Sequence, residues 1–173
     1  MQLRQLDSRL LILARTRAHS QSAERMVAAY SRLGEHGACW LALGAGGALM
    51  DGRGARRARW IRGIRIVAAG YGLNYAVKIT VRRPRPELEG LPPLTPTVSR
   101  LSFPSAHATT SFAAAAAYGG LLSPAALYLF ATVFALSRPY LGVHYPSDVL
   151  AGALIGTVLA RLWPNEHESG LRG

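Results

Sequence analysis

From Ser111 to Leu136 the chain runs for 26 residues without one charged side chain. A soluble domain of 173 residues seldom carries such a run. Half of the residues are apolar and the mean hydropathy is +0.14, which excludes a disordered basic tail. The length suits a single domain. Twenty Lys and Arg stand against nine Asp and Glu, a net charge of +11. A nucleic-acid binder with that charge would cluster it on one exposed face, whereas here it stops abruptly at the apolar run. The lone Cys39 excludes an internal disulfide and a cysteine-rich metal site. The composition describes a small integral membrane protein, with a basic soluble domain as its rival.

Five apolar stretches follow one another, at about 36–50, 61–81, 107–122, 124–140 and 149–163. Several fall short of the roughly 20 residues a bilayer span wants. Arg62, Arg65 and Lys78 sit near the ends of the second, where long basic side chains snorkel to headgroups. Small residues, Ala113 to Ala117 and then Gly152, Ala153 and Gly156, permit close helix packing. Ahead of these stretches, Leu3, Leu6, Leu10 and Leu13 recur at spacings of three and four among Arg4, Arg9, Arg15 and Arg17. Met26, Tyr30 and Leu33 continue the spacing beyond a polar patch at 19–21. This pattern predicts an amphipathic helix at a membrane surface, and a helix packed on a soluble core shares it. Leu10 to Ala14 is too short for a signal-peptide core. The expected fold is therefore all-α, an integral membrane bundle of about five transmembrane helices plus an N-terminal amphipathic interfacial helix. Its expected parts are an interfacial segment at 1–35, a membrane core at 36–164 and a polar tail at 165–173.

The connector Asp51 to Trp60 carries Arg53, Arg56, Arg57 and Arg59 against one acid, so the positive-inside rule places it in the cytoplasm. The six-proline segment Arg82 to Pro104 and the segment Ser137 to Asp148 then share the extracytoplasmic side. The N-terminal segment, with six arginines, falls on that side too, against the rule.

Nearly all candidate chemistry lies in those two segments. Lys78 is the only lysine beside 19 arginines. Arg82, Arg83 and Arg85 follow it, then Pro104, Ser105, Ala106 and His107, and last Ser137, Arg138, His144 and Asp148. Each has a plain structural explanation: lipid-phosphate anchors for the cations, an N-cap for Ser105, interface hydrogen bonds for the histidines, and a helix dipole for Asp148. Their coincidence on one face favours phosphoryl transfer. Guanidinium and ammonium groups hold phosphate oxygens, a helix N-terminus offers further N–H donors, one histidine attacks and another protonates the leaving group. There is no carboxylate cluster for Mg²⁺, so neither a metal nor another cofactor is expected.

Read as Lys78-x6-Arg85-Pro86, Pro104-Ser105-Ala106-His107 and Ser137-Arg138-x5-His144-x3-Asp148, these residues resemble the three motifs of the type 2 phosphatidic acid phosphatases. The resemblance covers roughly residues 60–163, and Ala106 stands where that family usually has glycine. It implies a membrane lipid phosphatase whose phosphate is bound by Lys78, Arg85, Arg138, Ser105 and the Ala106 backbone. It further implies His144 as the nucleophile, Asp148 holding its ring, and His107 as acid and then base. Arg82 and Arg83 lie outside the motif and are expected only to attract headgroups. By similarity, the substrate expected first is a polyprenyl-linked phosphate such as decaprenyl-phosphoryl-5-phosphoribose. Phosphatidic acid, phosphatidylglycerol phosphate and polyprenyl diphosphate are the alternatives. The expected partners are this lipid and the bilayer, not nucleic acid. A non-catalytic membrane scaffold with a phosphate-binding surface is the rival from another class.

Overall fold

The charge-free run becomes the centre of the molecule and one of its walls. The computed structural model describes residues 2–164 and, among them, is helical throughout apart from loops and one isolated bridge between Pro84 and Leu101. Its helices are α1 (Gln2–Thr16), α2 (Gln21–Leu33), α3 (Ala38–Met50), α4 (Ala55–Val81), α5 (Ala106–Tyr118), α6 (Pro124–Tyr140) and α7 (Pro146–Leu162), with a 3-10 turn at Glu35–Gly37. Helix α5 contacts α3, α4, α6 and α7 and is buried along most of its length. Its alanines let those neighbours close in, and α7 meets it through glycine. A Cβ on Gly152 would lie 3.0 Å from the Ala108 side chain, and one on Gly156 would lie 2.8 Å from the Ala113 nitrogen and collide with the Thr109 carbonyl. The polar atoms this centre buries are paired: Trp40 Nε1 donates to Ser111 Oγ at 2.9 Å, and the Tyr118 hydroxyl to the Trp40 carbonyl at 3.1 Å.

Large apolar side chains lie on the outside instead. Leu43, Leu73, Leu129, Phe130, Leu136, Leu150 and Leu154 are all exposed on α3, α4, α6 and α7. Yet among the described residues no helix is long and apolar enough to cross a membrane. Helices α3 and α5 have 13 residues each, about 20 Å at 1.5 Å per residue. Helix α4 has 27 but includes five arginines and Lys78. It starts six residues before the expected Ile61, taking Arg56, Arg57 and Arg59 into its first turns. Asp51 holds this corner, accepting from Trp60 Nε1 at 2.6 Å and Arg56 Nε at 3.1 Å.

The N-terminal segment is two helices rather than one. Ala18 turns the chain at φ +55°, and Ser20 caps α2 by accepting from the Ala23 N–H at 3.2 Å. Nor does the segment only lie at a surface. Asp7, Leu11 and Arg15 of α1, with Ala28 and Ser31 of α2, are buried against the bundle, while Leu3, Leu6, Leu10, Leu13, Met26 and Leu33 face outward. The leucine stripe is real, but the polar face is the one that packs. The expected tail at 165–173 lies outside the described residues.

The glycine seam gives a direct test. In Gly156→Ala the new methyl meets backbone, which cannot yield, and overpacking of this kind costs about 1–3 kcal/mol. That outweighs the helix propensity gained, about 1 kcal/mol. Gly46, with nothing within 4 Å of its Cβ position, is the control. In thermal melts of the purified protein, Gly156→Ala should unfold below the parent and Gly46→Ala at or above it.

Candidate active site

Successive helices run in opposite directions, so one end of the bundle collects the start of α3, the end of α4, the start of α5, the end of α6 and the start of α7. The loop 82–104 folds back over that end, tied by Ser102 N–H to the Arg83 carbonyl at 2.7 Å and Arg85 N–H to the Arg100 carbonyl at 3.2 Å. Beneath it lies a cavity of about 130 Å³ whose lining includes Lys78, Arg85, Ala106, His107, Arg138 and His144. Six of the eight residues singled out from the sequence thus meet in one space. Ser105 and Asp148 stand behind the wall.

His144 is 2 % exposed and Asp148 is fully buried. His144 Nδ1 faces Asp148 Oδ2 at 3.6 Å, long for a hydrogen bond, and its Nε2 faces Arg85 Nη1 at 3.2 Å. Burial, reinforced by Arg85 and Arg138, outweighs the pull of Asp148 and lowers the His144 pKa to about 3. The ring is therefore neutral at physiological pH. With a carboxylate on the Nδ1 side and a guanidinium donor on the other, the proton belongs on Nδ1 and the lone pair on Nε2. Arg85 itself is anchored by the Ser99 carbonyl at 2.7 Å and the Val143 carbonyl at 2.6 Å. Its pKa is lowered to about 10 by burial, so it stays charged.

Across the cavity His107 Nε2 lies 2.9 Å from the Ser31 carbonyl. A carbonyl only accepts, so Nε2 carries the hydrogen and Nδ1 is left for proton traffic. Arg138 donates Nη1 to Ser31 Oγ, while its buried Nε has no partner among the described residues. Lys78 directs its ammonium at three loop carbonyls, Leu101 at 3.2 Å, Ser102 at 3.3 Å and Pro104 at 3.1 Å. Ser105 caps α5, accepting from the Ala108 N–H at 3.5 Å, rather than facing the cavity.

Arg83 does more than attract headgroups. Its Nη1 bonds Asp148 Oδ1 at 2.8 Å and Ser147 Oγ at 2.7 Å, its Nη2 bonds Asp7 Oδ2 at 2.7 Å, and its guanidinium stacks 4.0 Å over the Tyr145 ring. Asp148 also accepts from the Ser102 hydroxyl and from the Tyr145 N–H at 2.8 Å. Arg82, by contrast, reaches only the Ile79 carbonyl among the described residues, at 3.1 Å. Sequence reasoning passed over Ser31, Asp7 and Ser102. Nothing local marks them, because their partners lie between 46 and 140 residues away.

The PAP2 superfamily pattern matches residues 63–168, and the chain belongs to that superfamily. It is 44 % identical to the decaprenylphosphoryl-5-phosphoribose phosphatase of Mycolicibacterium smegmatis over 128 residues, 72 % of this chain and 68 % of that one. Its fold is that of the transmembrane PAP2 type phosphatidylglycerolphosphate phosphatase from Bacillus subtilis, with a TM-score of 0.75 at 21 % identity over 98 % of this chain and 88 % of that one. The Aquifex aeolicus LpxE structure matches with a TM-score of 0.71 at 24 % identity, covering 91 % and 93 % of the two chains.

Removal of Arg83 leaves two buried carboxylates without their cation. Breaking a fully buried pair costs about 3–5 kcal/mol. Arg83 is 26 % exposed, so Arg83→Gln should cost less, on the order of 2 kcal/mol. Part of that loss should return in the Asp7→Asn/Arg83→Gln double variant, where one stranded charge is gone. A double-mutant cycle of unfolding free energies checks this, and strictly additive losses would show that the pair is uncoupled.

Proposed function

We propose that the chain is a membrane lipid phosphatase that hydrolyses a phosphomonoester through a phosphohistidine on His144. The observation that carries this reading is that one cavity is lined by a neutral His144, whose Nε2 lone pair faces Arg85 Nη1, and by Arg138, whose buried Nε has no partner among the described residues. Arg138, Arg85 and Lys78 hold the non-bridging oxygens, with the Ala106 N–H at the start of α5. Ser105 supports that N-terminus as its cap. His107 enters the step protonated on both ring nitrogens: His144 Nε2 attacks phosphorus and the bond to the leaving oxygen breaks, while His107 Nδ1 gives that oxygen its proton. His107 then takes a proton from water, the water oxygen attacks phosphorus, and the P–N bond breaks to release phosphate and neutral His144. Asp148 stabilises the Nδ1–H as charge appears on the ring. No step calls on a metal. The similarity to the mycobacterial enzyme over most of both chains favours a polyprenyl-linked substrate such as decaprenyl-phosphoryl-5-phosphoribose over phosphatidic acid, phosphatidylglycerol phosphate or polyprenyl diphosphate.

Placing the bundle in a membrane explains why its large apolar side chains face out. Residues 36–164 form the membrane core, and 1–35 rest at the interface with their leucines towards lipid. Spans of 13–17 residues call for local bilayer thinning and for the α4 arginines to snorkel. The cluster Arg56, Arg57 and Arg59, at the opposite end of α4 from Lys78, favours a site on the extracytoplasmic side of the plasma membrane under the positive-inside rule.

The histidine roles separate by leaving group. His144→Ala should abolish turnover on every substrate. His107→Ala should lose about 10²–10⁴-fold on a lipid alkyl phosphate, the worth of general acid catalysis. It should lose far less in the phosphorylation step with an activated aryl phosphate, giving a burst of aryl oxide and an acid-labile phosphohistidine. Rapid quench reads both; equal defects on the two substrates with no trapped intermediate would reverse the assignment.

Topology is tested by a single introduced cysteine in a Cys39→Ala background. Thr95, in the middle of the loop, is buried, whereas Val98 is 83 % exposed. Val98→Cys should react with an impermeant maleimide on intact cells. Labelling only after lysis would turn the molecule over.

A further inference from the structure

The cavity is also lined by Glu35, His36 and Tyr71, and the reaction described above uses none of them. Glu35 is the only acid among the lining residues. It lies within electrostatic reach of Arg138. It directly follows Gly34, whose Cβ position is 3.0 Å from His107 Cδ2, so its backbone adjoins the residue assigned to the leaving group. His36 is held at φ +54°, a left-handed conformation unusual for a residue with a side chain. Its Nδ1 shares a 2.7 Å hydrogen bond with the Tyr71 hydroxyl.

A carboxylate, an imidazole and a phenol beside the leaving oxygen make a poor surface for an aliphatic chain. They match a carbon skeleton rich in hydroxyls, each of which donates to one group and accepts from another. They make an unfavourable surface for a second phosphate. In a terminal diphosphate the leaving group is itself an anion, placed beside His107 and therefore beside Glu35, where like charges repel. Three cations in the same cavity would otherwise draw in the more highly charged diphosphate. We infer that Glu35, His36 and Tyr71 form a leaving-group subsite for a polyol, and that the Glu35 carboxylate selects phosphomonoesters of sugar hydroxyls against terminal diphosphates. This rests on the phosphatase reading and adds to it the recognition of the leaving group.

The test compares kcat/KM of the purified full chain on farnesyl-phosphoryl-ribose 5-phosphate, decyl phosphate and farnesyl diphosphate, with decyl phosphate as the internal reference. Relative to it, Glu35→Gln should lower the sugar phosphate about tenfold, through loss of a charge-assisted hydrogen bond. It should also raise the diphosphate about tenfold, through loss of repulsion. Tyr71→Phe removes a hydroxyl and no charge, so it should lower the sugar phosphate ratio and leave the diphosphate ratio where it was. If the parent enzyme hydrolyses decyl phosphate but Glu35→Gln moves neither ratio, or moves both in one direction, the subsite is wrong while the phosphatase reading stands. If the parent releases phosphate from none of the three, both fall.

Discussion

A carboxylate with no exposure to water must be satisfied entirely by its neighbours, and Asp148 is the place where the molecule meets that demand. Ser102 from the long loop, the Tyr145 N–H from the start of α7 and Arg83 all donate to it, and His144 turns its Nδ1 towards it. Its own backbone carbonyl accepts from the Ser105 N–H at 3.0 Å, joining α7 to the start of α5. Through Arg83 the same charge reaches Asp7 on α1. One buried anion therefore faces the His144 ring, closes the loop and anchors the N-terminal helix. Loss of any of these donors leaves a desolvated charge short of a partner, which is a far larger penalty than the loss of an exposed ion pair.

The rest of the bundle exists to let that end assemble. Helix α5 has to be approached closely on several sides so that the ends of α4, α6 and α7 converge on His107. Alanines along it, and glycines opposite it on α7, provide the short distances. Bulky side chains are displaced outward, where Leu129, Leu150 and Leu154 form an apolar perimeter. In water that arrangement would be a liability, since it leaves the apolar surface uncovered. Against lipid it is the arrangement that lets packing rather than hydrophobic burial hold the helices together.

Much of this was legible in the chain. Helices α3, α5, α6 and α7 begin within three residues of the apolar stretches that announced them. Lys78, Arg85, Ala106, His107, Arg138 and His144, read as three separated motifs, line one cavity. The reading failed where a residue's role depends on something far along the chain. Ser31 serves both His107 and Arg138, and no spacing rule connects them. Arg83 looked like one more surface cation because its two carboxylates belong to α1 and α7. The amphipathic stripe of α1 was visible, but an amphipathic pattern states only that two faces differ, not which of them packs.

The sequence by itself determined the helical class, the interior of small residues and the set of charged and imidazole side chains that line one cavity, because periodicity, residue size and side-chain chemistry are local properties. It also determined the family, through spacings that lie within single segments. The tertiary structure alone decided that α1 and α2 fold back over the site, that Arg83 belongs to Asp148, that Ser105 is a cap, and that Glu35 lines the same cavity as Arg138. Those facts depend on which helix ends share a side of the bundle and how closely they approach, and a pattern along the chain carries neither distance nor direction between its distant parts.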